Sequence, residues 1–307
     1  MELTSPQQSV LEDQAFRLGS RGVLCLRGER VLDAIQPLVT ISLDEVPKKA
    51  VLAHIVDNEG FLLIDLFIIS YQGALLIEID KSVIPKLIEL LAAHCEACGV
   101  TVQDVSSEWN VFAELPDQKT FDDGSEYIRY VDPRWHMGAR ILRPTGKINS
   151  SRWGSEIKWE THAFKLGFLP STTYLKHVPI SPLEAGLHAL NLLHMDRLPN
   201  GLQAAMSSPE DKLKRRLLPM RIEPNSDFFP TMNGGLSVLA GDVEIGKAIG
   251  HHGLFALAVI ELELWRHALV NGTPLHSGGQ SVLITWPSWL AHESRGRGGP
   301  VAMSKRS

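Results

Sequence analysis

The stretch Ala50-Val-Leu-Ala-His-Ile-Val-Asp-Asn-Glu-Gly-Phe-Leu-Leu-Ile-Asp-Leu-Phe-Ile-Ile-Ser-Tyr71 decides the fold class. Two apolar runs, residues 50–56 and 62–71, flank the turn sequence Asp57-Asn-Glu-Gly60. Because Gly60 can adopt the positive φ that a tight turn requires, the two runs are predicted to pair as an antiparallel hairpin. A direct hairpin belongs to an antiparallel or mixed sheet, since parallel strands need a long crossover.

Strands and helices alternate on both sides of this hairpin. The predicted strands are residues 22–27, 74–79, 100–105 and 109–114, and the predicted helices are residues 28–38, 82–93 and 155–166. Direct hairpins mixed with helices favour an α+β fold over a doubly wound parallel sheet.

The residues from about 212 onward have a different texture, with short apolar runs between glycine-rich turns. The predicted strands are residues 217–222, 235–240, 243–249, 254–262 and 280–285, enough for a small antiparallel β-barrel. A chain of 307 residues exceeds the usual size of a single core. We predict an N-terminal body of two interleaved subdomains over residues 1–210, the barrel over 211–291, and a disordered tail over 292–307.

The composition favours a globular cytoplasmic protein and argues against two classes of partner. Hydrophobic residues make up 44% of the chain, and its net charge of −5 gives no broad basis for direct nucleic-acid binding. No apolar run approaches the ~20 residues that span a bilayer, and residues 1–14 lack the pattern of a targeting signal. A cytoplasmic location without a membrane partner is therefore expected.

The cysteines favour a reducing compartment and no metal site. Cys25, Cys95 and Cys98 cannot form a disulfide framework for a chain of this length. Cys95 and Cys98 have metal-ligand spacing beside His94, but no second ligand pair exists, and structural zinc takes four protein ligands. The pair is instead predicted to pack at a helix end just before Gly99.

The segment Tyr130-Val-Asp-Pro-Arg-Trp-His-Met-Gly-Ala-Arg140 holds candidate binding residues. Its proline restricts the backbone, so the neighbouring side chains leave in set directions. Arg134 and Arg140 can clamp a carboxylate in bidentate fashion, and Trp135 can stack on a flat ring. The alternative is a plain strand–turn–strand connection, in which Asp132 caps the turn and the arginines pair with protein carboxylates.

Three further features allow local interpretations. Ser181-Pro-Leu-Glu184 has the pattern of a helix N-terminus, and leucines 187, 190 and 193 predict that the helix continues with an apolar stripe. The pair His251-His252 is predicted to lie in a solvated turn before Gly253. Trp286 and Trp289 either dock a partner peptide or pack against the barrel.

Four separated segments resemble a known family in sequence and in order. They are residues 22–40, residues 58–65, the motif Asp132-Pro-Arg134 with Gly138-Ala-Arg140, and residues 212–219 followed by Gly246 and residues 254–258. Together they resemble the folate-binding family that includes the glycine-cleavage T-protein, an aminomethyltransferase, and its YgfZ-like relatives in iron–sulfur protein maturation. The resemblance covers roughly residues 20–265.

The chain departs from this family where the family carries chemistry. The YgfZ-like motif Lys-Gly-Cys-Tyr-x-Gly-Gln-Glu is replaced by residues 194–204, and no cysteine follows Cys98, so a thiolate is unavailable there. Arg197 and Gln203 are the residues that can stand for the motif's lysine and polar end. The T-protein's Asn-Asp-Val segment is also missing, because Asp44 falls two positions late, which disfavours aminomethyl transfer.

The resemblance implies a scaffold that holds a reduced folate, tetrahydrofolate or a relative, in a central cavity between the mixed N-terminal body and the barrel. The ligand-binding residues it implies are Asp65, Arg134, Trp135, Arg140, Glu184, Arg197 and Gln203. It also implies partners among iron–sulfur client or assembly proteins, and an indirect effect on tRNA modification. Two alternatives remain: a tetrahydrofolate-dependent aminomethyl or methyl transferase using Asp44 or Asp65, and a non-catalytic interaction protein.

Overall fold

The computed structural model describes residues 15–116, 126–146, 153–194, 213–223 and 235–290. The predicted tail, residues 292–307, and the predicted domain boundary near residue 210 lie outside these ranges and stay predictions. None of the helices that the structure describes combines the length and the apolar composition needed to cross a bilayer.

The described chain is a mixed α+β structure. Its strands are β1 (Ala15–Arg17), β2 (Arg21–Arg27), β3 (Val51–Val56), β4 (Leu62–Tyr71), β5 (Ala74–Asp80), β6 (Thr101–Asp104), β7 (Trp109–Glu114), β8 (Ile128–Val131), β9 (Ala139–Pro144), β10 (Trp153–Gly154), β11 (Arg215–Glu223), β12 (Leu236–Ala240), β13 (Val243–His252), β14 (Phe255–Glu261), β15 (Leu275–Ser277) and β16 (Gln280–Ile284). Its α-helices are α1 (Val31–Ile35), α2 (Ile84–Cys98), α3 (Glu156–Leu166) and α4 (Leu262–Asn271). Single 3₁₀ turns lie at Gln36–Leu38, Lys81–Val83, Thr172–His177, Leu187–Leu190 and Ser288–Leu290.

Two five-stranded sheets form the N-terminal body. The first sheet has the order β10-β1-β7-β9-β8, and the second has the order β3-β4-β5-β2-β6. The predicted hairpin is confirmed, because β3 and β4 pair antiparallel with Ala53 opposite Leu66, and Gly60 in the turn has φ 88°. Strand β8 is an edge of the first sheet, and strand β3 is an edge of the second.

The second sheet is covered on both faces, which explains why β5 is buried along its whole length. Leu75 and Ile77 pack on one face with Leu87 of α2. Leu76 points to the opposite face and joins a cluster that includes Val111 of the first sheet. Side chains alternate along a strand, so a strand packed on both faces is buried throughout, and β5 buries even its two charged residues, Glu78 and Asp80.

The C-terminal region is the predicted antiparallel barrel, closed in the order β11-β14-β13-β12-β15-β16. Along β11, Leu218 and Met220 point into the barrel core, whereas Leu217 joins the cluster of the N-terminal body. Strand β15 and helix α4 were not predicted. The junction Glu261-Leu-Glu-Leu264 alternates polar and apolar residues as a strand does, so its periodicity gives no boundary between β14 and α4.

The predicted helix that starts at Ser181 is not formed. The capping contacts exist, since the Ser181 N–H donates to Glu184 Oε2 at 2.7 Å and the Glu184 N–H donates to Ser181 Oγ at 3.3 Å. The chain then makes a turn, because Gly186 adopts the left-handed φ of 78°, and only the 3₁₀ turn Leu187–Leu190 follows. Leucines 187, 190 and 193 therefore do not form the apolar stripe of a regular α-helix.

Candidate functional site

Asp65 lies in a layer of buried charges between the two sheets. Its Oδ2 accepts from Arg21 Nη1 at 2.8 Å, and its Oδ1 accepts from the Thr172 N–H at 2.8 Å. Burial alone would raise the pKa of Asp65, but the Arg21 guanidinium and the Thr172 N–H lower it to about 2. Asp65 is therefore a charged group that the protein itself already satisfies.

Arg134 does not present its guanidinium to a ligand, contrary to the predicted carboxylate clamp. Its Nε and Nη2 donate to the two oxygens of Asp132 at 2.9 and 2.6 Å, and its Nη1 donates to the Leu169 carbonyl at 2.8 Å. The Asp132 carboxylate also accepts the Arg134 N–H at 3.1 Å, which makes the predicted alternative, a capped turn, the arrangement observed. Burial would raise the pKa of Asp132, yet this arginine holds it below its ordinary value.

Arg140 is also committed inside the protein. Its Nη1 donates to Glu78 at 3.1 Å, and its guanidinium lies over the rings of Trp159 and Phe67 at 4.3 and 5.1 Å from their centroids. The side chain is almost fully buried. Gly138, two residues earlier, has φ 77°, and a Cβ there would overlap the Glu114 carbonyl. The Gly-Ala-Arg motif therefore places an arginine in the core.

Trp135 is separated from the buried charges. Its side chain is 43% exposed, and its ring meets the His136 ring edge-on with 4.0 Å between centroids. A surface ring can still stack on a partner, but it does not lie with Asp65 and Arg140 between the sheets.

Of the remaining predicted site residues, Glu184 is structural and two cannot be placed. Glu184 receives the Ser181 N–H and pairs with Arg215 Nε at 2.8 Å, which links the body to the first barrel strand. Arg197 and Gln203 lie outside the described residues. Their predicted role stays a prediction.

His252 and the two tryptophans make packing contacts. His252 is not in a solvated turn, because its Nε2 lies 2.6 Å from Glu160 Oε2 and its ring stacks on Phe164. Trp289 stacks on Phe168 and donates to the Leu166 carbonyl. The Trp286 ring likewise lies parallel to the Trp265 ring, with 6.4 Å between centroids. Both contacts are those of the packing alternative, and the docking of a partner peptide stays a prediction.

The expected central cavity is nearly closed. A void between the body and the barrel is lined by His54, Asp65, Arg134, Phe168 and Leu217, and its volume is about 30 Å³. That volume is enough for about one water molecule. Among the residues that the structure describes, Phe168 and its apolar neighbours pack between the sheets and the barrel, and the void that these residues leave is too small for a folate.

A much larger groove lies between β3 and β8, the facing edges of the two sheets. Its volume is about 850 Å³. The apolar part of the lining comes from Ile41, Ala50, Val51, Leu52, Val131, Pro133, Leu190 and Leu192. Small-molecule sites usually occupy roughly 300–1,000 Å³ and are mostly apolar, so this groove has the size and lining of a ligand site.

Charged side chains surround the groove. Lys48 and Lys49 stand on one side, each paired with Glu45, at 3.2 and 3.9 Å. Arg129 of β8 stands across from them and pairs with the buried carboxylate of Glu114 at 3.0 Å. The two lysine pairs are exposed and weak, so the lysines exchange Glu45 easily for a ligand anion, whereas Arg129 is held by a buried carboxylate.

Ser42 organises one end of the groove. Its backbone N–H donates to His194 Nδ1 at 3.3 Å, and its Oγ donates to Asp44 Oδ2 at 2.7 Å. The His194 N–H in turn donates to the Thr40 carbonyl at 2.9 Å, which fixes the segment that carries this histidine. All three side chains of this end, Ser42, Asp44 and His194, line the groove.

Apart from Asp44, the residues of this groove were not predicted as site residues from the sequence. The available signal was weak: a Lys48-Lys49 pair close to Asp44, and a histidine that begins the segment replacing the family motif. Neither pattern reveals that Ser42 and His194, 152 positions apart, would meet, because that contact depends on the tertiary packing of the chain.

Comparisons with known proteins agree with this architecture. Residues 214–292 match the family described as CAF17, C-terminal beta-barrel domain. The solved aminomethyltransferase T of the glycine cleavage system from Bartonella henselae is similar in structure, with a TM-score of 0.59 and 12% sequence identity over 88% of this chain and 84% of that one. No curated protein sequence matches the chain. At this identity the structural likeness establishes the fold.

Proposed function

We propose, for a chain with the aminomethyltransferase-like fold and a CAF17-type C-terminal barrel, that it binds a reduced folate in the groove between β3 and β8 and assists the assembly or repair of iron–sulfur proteins. The single observation that carries the binding part is the groove of about 850 Å³. The central void of about 30 Å³ is too small for a pterin ring.

The groove suits the two ends of a folate. The apolar side chains of Val51 and Leu192 offer a surface for a flat ring. Lys48, Lys49 and Arg129 offer cations for an acidic glutamate tail. A flat apolar body with an anionic end therefore matches the lining in shape and in charge.

The iron–sulfur part rests on the resemblance to the YgfZ-like branch and on the barrel that follows it. No cysteine follows Cys98 in the sequence, so a thiolate from the replaced family motif cannot take part. The proposal is thus a folate-dependent assisting protein that works on a partner without a thiol step.

Calorimetric titration of the full chain with tetrahydrofolate tests the binding part. We expect saturable binding and a rise in melting temperature, and about tenfold weaker binding for the double variant Lys48→Glu and Lys49→Glu. The control is Lys86→Glu, an exposed lysine of α2 paired with Glu89. Absence of heat and of any thermal shift at millimolar tetrahydrofolate would refute folate binding.

Complementation tests the iron–sulfur part. In cells that lack the protein, we expect lower activity of iron–sulfur enzymes, restored by the wild-type chain. The double variant at Lys48 and Lys49 should restore it less well, whereas Lys86→Glu should restore it fully. Equal activity of these enzymes with and without the protein under oxidative stress contradicts the proposal.

A one-carbon transferase is the second candidate, favoured by one observation. Asp44 lies at the groove and its carboxylate is held by Ser42 Oγ, so a carboxylate does reach the site despite its late position in the sequence. Conversion of tetrahydrofolate to its 5-methyl or 5,10-methylene form by candidate donors, lost in Asp44→Asn, would establish this activity. If none of the methylated or aminomethyl donors yields either product, the transferase candidate is ruled out.

A further inference from the structure

Ser42 brings a hydrogen-bond donor and a hydrogen-bond acceptor to the same end of the groove. Its Oγ holds the Asp44 carboxylate at 2.7 Å, and its N–H holds His194 Nδ1 at 3.3 Å. One residue with two different groups thereby fixes two side chains that are far apart in sequence.

The contact with Ser42 fixes the tautomer of His194. Because Nδ1 accepts a backbone N–H, the neutral ring carries its proton on Nε2. Within the described residues, Nε2 has no hydrogen-bond partner, and His194 is half-buried at the groove. The ring therefore has one N–H available for an acceptor atom of a ligand.

Asp44 supplies the complementary group. Its side chain is exposed at the groove and an ionised carboxylate only accepts hydrogen bonds. Since Oδ2 is held by Ser42, the rest of the carboxylate can receive an N–H from a ligand. Ser42 thus holds a donor, His194 Nε2–H, and an acceptor, the Asp44 carboxylate, at the same end of the groove.

We propose that His194 and Asp44 together read the lactam edge of a heterocycle, a ring carbonyl beside a ring N–H. His194 Nε2 donates to the carbonyl and Asp44 accepts from the N–H. The inference rests on the proposed function and deepens it, because a pterin has such an edge. Lys48 and Lys49 line the same groove and offer cations for the acidic tail. Ser42 is the positioning residue for both.

Paired titrations with folic acid and with its 4-amino analogue test the proposal. The 4-amino group replaces the carbonyl acceptor with a donor and removes the ring N–H, which reverses the pattern that the two residues read. We expect the wild-type protein to bind folic acid about tenfold more tightly than the analogue, because each mismatched hydrogen bond leaves a polar group unpaired.

Substitutions of His194 and Asp44 test whether these two residues cause the preference for folic acid over its 4-amino analogue. His194→Phe and Asp44→Asn should abolish the preference, His194→Gln should restore it because its amide keeps a donor, and Ser42→Ala should reduce it. A preference that is unchanged in His194→Phe and Asp44→Asn overturns the inference while folate binding stands. If neither folic acid nor tail-less pterin binds, and the His194 Nε2–H nuclear magnetic resonance signal is unmoved by either, both proposals fall.

Discussion

The buried charges between the sheets are organised by one residue, Glu78 of β5. It is fully buried and accepts from Arg21 Nε at 2.8 Å and from Arg140 Nη1 at 3.1 Å. The Tyr130 hydroxyl donates to its other oxygen. Burial and the adjacent Glu78 raise the pKa of Tyr130, so that side chain remains a donor. Glu78 thus links β2, its neighbour in the same sheet, to β8 and β9 of the other sheet through polar contacts.

Replacing Glu78 with alanine is expected to lower the free energy of unfolding by about 3–5 kcal/mol, because it leaves two arginines buried without their shared carboxylate. Urea unfolding followed by tryptophan fluorescence measures the change. Glu78→Gln should lose less, since it keeps an acceptor oxygen. The control Glu59→Ala, on the exposed hairpin turn, should stay within about 0.5 kcal/mol of wild type. Equal losses at both positions contradict the role of Glu78.

His54 gives the stability a pH dependence. Burial, opposed by Asp65 and assisted by Arg134, lowers the pKa of His54 from 6.5 to about 4. The unfolded chain takes up the proton near pH 6.5, whereas the folded chain takes it up only near pH 4. Stability from neutral His54 is therefore complete above pH 6.5 and is lost as the pH falls towards 4.

We expect this loss to reach about 3 kcal/mol, the free energy that corresponds to the pKa difference. Urea unfolding of the wild type and of His54→Leu at pH 7, 5.5 and 4 measures it as the difference between the two pH profiles. The variant lacks the group that titrates, so its profile should be shallower by that amount. Parallel profiles would show that His54 does not titrate in this way.

At the scale of elements, helix α3 and the turn Thr172–His177 form the seam between body and barrel. His252 of β13 pairs with Glu160 of α3, and the Tyr174 hydroxyl lies 3.1 Å from the same histidine nitrogen. A Cβ at Gly250 would stand 2.6 Å from the Tyr174 ring, so only glycine lets the ring approach the strand. The seam depends on close approach as well as on charge.

The variant Gly250→Ala is expected to destabilise the protein by about 1–3 kcal/mol through overpacking. Combined with Tyr174→Ala, the added methyl should cost much less, because the ring that it meets is gone. Thermal unfolding of the single and double variants gives the coupling free energy. Gly146→Ala, where a Cβ meets no neighbour within 4 Å, is the control. Strict additivity of the two changes contradicts the proposed contact.

At the scale of the whole molecule, one apolar cluster joins the body and the barrel. It contains Phe67 and Val111 from the two sheets and Leu217, Leu257 and Val259 from the outer face of the barrel. The barrel also has a core of its own, centred on residues such as Leu218 and Ile260. The outer face is therefore apolar because the body covers it.

The barrel expressed alone as residues 213–290 is expected to expose this outer face. It should bind the dye ANS and associate, because large uncovered apolar patches drive association. Dye fluorescence and size-exclusion chromatography measure both effects, with the full chain as reference. Adding Leu217→Ser and Val259→Ser should reduce dye binding. A monomeric barrel without dye binding would contradict a covering role for the body.

The sequence predicted elements far better than it predicted the site. The β3–β4 hairpin, the strand β7 and the closed barrel follow from local apolar periodicity and turn glycines, and the structure contains them. The helix predicted after Ser181 does not form, because Gly186 adopts a left-handed φ that ends helical geometry. Helix α4 was not predicted because its first residues, Leu262-Glu-Leu264, continue the alternation of the preceding strand.

The sequence by itself determined the order of strands and helices, because hydrophobic period and turn chemistry act over a few neighbouring residues. It also marked Asp65, Arg134 and Arg140 as members of sequence motifs, but it did not identify the groups that they contact. Only the tertiary structure decided that Arg134 binds Asp132, that the central space is filled, and that a groove opens at the edges of two sheets. Ion pairs and cavities depend on which distant surfaces come together, and packing, which no local pattern encodes, sets that outcome.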